Sequence, residues 1–108
     1  MIYVAGPMSG LPEFNFPAFE AETQRLRALG YEVLSPHEGV EDTTKPWGFY
    51  MRKAISLLIQ CDSIILLPGW ENSKGARLEE SIAHNFRMTL FYLTGPRSYV
   101  KCTSTTPT

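Results

Sequence analysis

The run Ser63-Ile-Ile-Leu-Leu-Pro-Gly-Trp-Glu-Asn-Ser-Lys-Gly-Ala-Arg-Leu-Glu-Glu-Ser-Ile-Ala83 constrains the fold more than any other stretch. An apolar segment stops at Pro68-Gly69, a polar loop follows, and a helical pattern opens. That succession marks a buried strand, a loop and a helix N-terminus. In open α/β sheets, ligands bind at the carboxyl ends of strands, against helix N-termini.

The rest of the chain repeats the alternation. Met1 to Ala5 is a short β-favouring run stopped by Gly6-Pro7. Asn15 can cap a helix, with Pro17 tolerated in its first turn. That helix is expected to run to Leu29, with Phe16, Phe19, Leu26 and Leu29 inward, and to end at Gly30. Tyr31 to Ser35 reads as a strand. Residues 36–46 form a loop long enough to serve as a lid or binding loop. A helix over 47–60 turns Met51, Ala54, Ile55 and Leu58 to one side. Strands over 62–67 and 88–93 flank a helix over 75–86.

Strand and helix alternating in this order predict one α/β domain over residues 1–94. Its four-stranded or slightly larger parallel sheet carries helices on both faces, as in flavodoxin- or Rossmann-like folds. Residues 95–108 are polar and Ser/Thr-rich, and are expected to fray. The loops 6–12 and 68–74 meet at one sheet edge and approach helix N-termini, an arrangement that suits an anion such as phosphate.

At 108 residues, with 44% hydrophobic and 19% charged residues, the chain reads as one ordinary soluble domain. A net charge of −1 argues against a polynucleotide partner. No apolar run is long enough to span a bilayer, and the N-terminus lacks a signal peptide's basic region. Cys61 and Cys102 provide no disulfide framework, which fits a reducing, cytoplasmic setting.

Glu79 is the residue of greatest interest. At about 100° per residue, Ala76, Leu78, Ile82, Ala83 and Phe86 share one arc of the third helix. Arg77, Glu80, His84 and Arg87 share the other. Glu79 falls between Phe86 and Ala83, among apolar neighbours. A carboxylate turned inward is costly unless something pairs or uses it. The alternative is a helix-start acid favoured by the macrodipole, which suits Glu80 better than Glu79.

Three segments together carry a family resemblance: Tyr3-Val-Ala-Gly-Pro-Met-Ser-Gly10, Asp62-Ser-Ile-Ile-Leu-Leu-Pro-Gly-Trp70, and Ser73-Lys-Gly-Ala-Arg-Leu-Glu79 with Ala83. The chain resembles the nucleoside 2-deoxyribosyltransferase-like superfamily over nearly all of residues 1–93, and looks closest to a small bacterial and phage branch. That superfamily also contains 2′-deoxynucleoside 5′-phosphate N-hydrolase and a CMP N-glycosidase. The resemblance implies Glu79 as nucleophile and Tyr3 as the tyrosine beside it. It places Gly6, Met8, Ser9 and Gly10 of the first loop, with Ser73 and Gly75 of the other, around a 5′-phosphate. A serine at position 73, where the deoxyribosyltransferases hold an aspartate, leans toward a nucleotide over a free nucleoside. It also implies a homodimer or larger homo-oligomer with sites near the subunit contact.

One position departs from the pattern. The superfamily's enzymes usually carry an aspartate that serves the leaving base, and here Ala54 stands in its place. Asp62 and Glu38 are weak substitutes. Two function classes follow: an enzyme that cleaves or transfers the N-glycosidic bond of a (deoxy)nucleoside 5′-monophosphate, and a non-catalytic nucleotide-binding module. A purely structural role on the same fold is the third. The chemistry needs no metal or other cofactor, and His37 and His84 are too far apart in sequence for a local metal pair. His37 reads as a base contact or as an ordinary loop histidine. Trp70 and Trp47 read as base-stacking or as surface-capping residues. Lys74 can draw in phosphate, whereas Arg77 reads as a solvated charge.

Overall fold

The computed structural model describes residues 1–40, 42–95 and 98–103, with side chains through residue 94. Four strands run parallel: β1 (Ile2–Ala5), β2 (Val33–Leu34), β3 (Ser63–Leu66) and β4 (Thr89–Gly95). Their order is β2-β1-β3-β4, and β5 (Ser98–Thr103) adds antiparallel to β4. Three helices connect them: α1 (Phe16–Ala28), α2 (Trp47–Leu58) and α3 (Lys74–Asn85). The expected parallel α/β sheet is therefore what the chain forms.

Side chains alternate across the sheet, and two cores result. Tyr3, Ala5, Ile64, Leu66 and Leu90 face one side and pack with Ala54 and Leu58 of α2 and Ala83 of α3. Val4, Ile65, Leu67 and Leu93 face the other and pack with Phe19 and Leu26 of α1. β1 and β3 are buried on both faces, which explains their continuous apolar runs. The chain turns from β1 toward β2 and from β3 toward β4. The carboxyl ends of β1 and β3 thus make the topological switch point, where such sheets place ligands.

Several local expectations change. Ser98–Thr103 pairs with β4 where a frayed tail is expected; Tyr99, Val100 and Thr103 favour extended backbone, and the β4 edge presents unpaired groups. Residues 104–108 lie outside the described residues. Leu29 is exposed, because α1 ends at that point. The N–H of Gly30 bonds Arg27 O and that of Tyr31 bonds Leu26 O, with Gly30 at φ 95°. That Schellman turn leaves Leu29 at the rim, lining a shallow groove with Tyr31, Ile65 and Phe91.

Asn15 does not cap α1 with its side chain. Glu13, Phe14 and Asn15 all take left-handed backbone (φ 52°, 53° and 60°), and the Asn15 amide donates to Pro7 O at 3.0 Å. Asn tolerates that conformation better than most residues, and its amide here braces the first loop. In α3, the buried stripe is Gly75, Ala76, Glu79 and Ala83, while Leu78 and Phe86 are exposed. Small residues let the helix sit close to its neighbours, so the buried arc centres on them and not on the larger apolar side chains. Among the described residues no helix is long and apolar enough to cross a membrane.

Candidate functional site

Tyr3 stands in the middle of β1, level with Leu34 on β2 and Ile64 on β3, and Ile64 is level with Leu90 on β4. It is fully buried and faces the α2/α3 side. Glu79, in the second turn of α3, is 4% exposed. The Tyr3 hydroxyl donates to Glu79 Oε2 across 76 residues of chain. The helix and the strand therefore place a carboxyl group and a phenol together inside an otherwise apolar core.

Burial dominates the electrostatics. It pushes the Glu79 carboxyl up to about 7, against the hydrogen bond from Tyr3, which acts to lower it. Burial also drives the Tyr3 phenol well above its ordinary range, and the neighbouring Glu79 adds to that shift. Tyr3 thus remains a donor throughout the neutral range. Glu79 Oε1 has no hydrogen-bond partner among the described residues. It is also not sealed from solvent, unlike Thr23 Oγ1, the one fully enclosed side-chain polar atom without a partner there.

The two loops at the switch point do meet. Leu67 N donates to Ala5 O at 2.8 Å, extending the β1–β3 pairing to the loop bases. A Cβ on Gly6 would lie 2.8 Å from Leu67 Cβ, and one on Gly69 would lie 3.4 Å from Pro7 Cγ. Glycine at position 6 is what permits this approach. Met8 to Leu11 make a hydrogen-bonded turn with Gly10 at φ 80°, which leaves Ser9 and Gly10 exposed at its tip. Met8 packs back against the α1-side core.

Ser73 caps α3, its Oγ accepting from Ala76 N at 3.2 Å. The hydroxyl proton remains able to donate elsewhere. Gly75 is buried under α2: a Cβ there would lie 3.0 Å from Met51 Sδ and 3.7 Å from Trp47 Nε1. The Lys74 ammonium sits 4.3 Å from the centre of the Trp47 ring. The N-termini of α2 and α3 are thereby fastened together. Trp70 is half-buried in a short 3-10 turn (Trp70–Asn72), its ring 5.5 Å from that of Tyr92. Tyr92 in turn donates to Glu80 Oε2 at 2.7 Å. Arg77 is exposed.

Ala54 is buried in the core that holds Tyr3, so no acid stands at that place. Asp62 lies at the opposite, amino end of β3, and Glu38 is engaged by Arg27. Two surface cavities, of about 170 and 440 Å³, lie beside residues 39–53 and at the amino edge of the sheet; neither is lined by Tyr3 or Glu79. His37 has both ring nitrogens engaged, Nδ1 with Ser35 Oγ at 2.5 Å and Nε2 with Glu20 Oε2 at 2.6 Å. Of these three residues only His37 stands out in the sequence. Ser35 and His37 are two residues apart, but Glu20 reaches them only because α1 packs beside β2.

Residues 1–92 match DUF4406, a domain of unknown function. The chain belongs to the DUF4406 family. No curated protein matches it. In this DUF4406 domain the matched segment ends inside β4 and contains Tyr3, both switch-point loops and Glu79.

Proposed function

We propose that this DUF4406 domain cleaves or transfers the N-glycosidic bond of a (deoxy)nucleoside 5′-monophosphate, with Glu79 as the nucleophile. The observation that carries the reading is the buried carboxyl of Glu79, held at Oε2 by Tyr3 and unpartnered at Oε1. Its resemblance to the nucleoside 2-deoxyribosyltransferase-like superfamily supports the substrate class. In the proposed step Oε1 bonds to C1′ as the C1′–N bond breaks, and the electron pair leaves with the base. The base gains its proton from water, since Ala54 offers none. Water or a second base then releases the sugar. Ser73, Ser9 and the first-turn N–H groups of α3 would hold the 5′-phosphate, and Trp70 would border the base. A homo-oligomer, as in the similar superfamily, would complete the site's walls.

Only ionised Glu79 can attack, so turnover should rise with pH through about 7. The test is incubation of the purified protein with a panel of ribo- and deoxyribonucleoside monophosphates, with free base measured. Base released by the native chain and lost in Glu79→Ala supports the reading. No release from any substrate, or equal release by Glu79→Ala, refutes it.

Ala54 favours a second reading, a non-catalytic nucleotide-binding module. Calorimetry showing tight binding of a monophosphate without turnover, unchanged in Glu79→Gln, would select it over the first.

A further inference from the structure

On the α1 side of β2, away from Glu79, three metal-ligating side chains converge. Glu20 on α1 and His37 and Glu38 after β2 each offer one ligand atom, all within 4.8 Å of one another. We infer that Glu20 Oε2, His37 Nε2 and one Glu38 oxygen form a divalent transition-metal site. This inference stands apart from the glycosidic reading and uses none of its residues as ligands.

The surroundings have the form that metal ligands need. Ligating side chains are held by outer hydrogen bonds that fix their orientation. His37 is buried, with the rings of Phe16 and Phe19 at 5.8 and 6.0 Å, and its Nδ1 meets Ser35 Oγ, itself 2% exposed. When Ser35 Oγ accepts the Nδ1 proton, the Nε2 lone pair is free to bind a cation held jointly with Glu20. Gln24 donates to Glu20 Oε1 at 2.7 Å, which leaves Oε2 directed at the ring. Arg27 holds both oxygens of Glu38 at 2.7 Å. A carboxylate has lone pairs enough to keep an arginine contact while it binds a cation. All three ligands thus have an outer partner in place.

Distance and chemistry agree. Nε2 and Oε2 are 2.6 Å apart, sharing a proton whose place the metal would take. Ligand bonds of about 2.1 Å in tetrahedral array set an N-to-O separation of about 3.4 Å. Glu20 is half-exposed and can swing by the difference. One imidazole and two carboxylates suit Zn²⁺ or Mn²⁺ better than Ca²⁺, and water can fill the remaining positions. Both carboxylates reach solvent, which opens an entry path.

The test is titration of Zn²⁺ into the full chain by calorimetry, with histidine ring NMR on the same sample. One saturable equivalent is expected, shifting the His37 ring signals and leaving those of His84 unmoved. Affinity should fall about tenfold or more in Glu20→Gln and in Glu38→Gln, and about tenfold in Ser35→Ala. His84→Gln, which removes the Glu80–His84 pair at 3.1 Å, should bind as the native chain does. Circular dichroism confirms that each variant is folded. No saturable binding, equal affinity in folded Glu20→Gln and Glu38→Gln, or shifts confined to His84 would overturn the assignment.

Discussion

Replacing Glu79 with glutamine should make the protein more stable than its parent above neutral pH, although it removes the side chain proposed to react. The unfolded chain releases the Glu79 proton near 4.5, while the folded chain holds it to about 7. Between those values the folded state binds more protons, so stability from this group is full below about 4.5 and falls as pH rises through about 7. At about 1.4 kcal/mol per pH unit, the loss is about 3 kcal/mol. Glutamine keeps the shape and still offers Tyr3 an acceptor, but has nothing to ionise. Urea unfolding of both proteins from pH 4.5 to 8.5 measures the difference directly. Groups shared by the two, including Glu20, Glu38 and Asp42 with carboxyls lowered by their partners, cancel in the subtraction. The difference should favour glutamine increasingly with pH and level off above about 8. A difference independent of pH would show that Glu79 ionises in the folded chain as it does in the unfolded one, and the burial argument would fail.

Three further outcomes follow from the packing. Gly6→Ala sets a Cβ against Leu67 Cβ, an atom fixed to backbone, and should cost about 1–3 kcal/mol in denaturant unfolding. Thr23→Val removes a buried hydroxyl that has no partner among the described residues, so thermal unfolding should show a gain of about 1 kcal/mol. Ser73→Ala should lose about 1 kcal/mol with the α3 cap, and Ser73→Asp should restore it; if a phosphate binds there, Asp should still abolish monophosphate binding in calorimetry.

The alternation of apolar runs with 3.6-residue patterns made the parallel sheet legible, because strands buried on both faces leave continuous runs such as Ile64 to Leu67. The inward position of Glu79 was legible from the same spacing. The exposure of Leu78 and Phe86 was not, since helix spacing locates an arc but not how closely a neighbour approaches it. β5 was obscured by the polar, Ser/Thr-rich stretch 95–108 in which it lies: Thr103 pairs with Thr89 only because β4 offers an open edge. The Glu20–His37–Ser35 chain had no local pattern beyond Ser35 and His37, because it joins a helix to a loop 17 residues away.

The left-handed run Glu13-Phe14-Asn15 bears on how the first loop would meet any visitor. Three consecutive residues with side chains sit where such residues seldom rest, and the last clasps Pro7 O. Relaxing that kink means releasing the clasp, so the loop keeps its contour with nothing seated against it. On the proposed reading, an arriving phosphate would meet a loop already shaped, and its capture would need little rearrangement of the backbone.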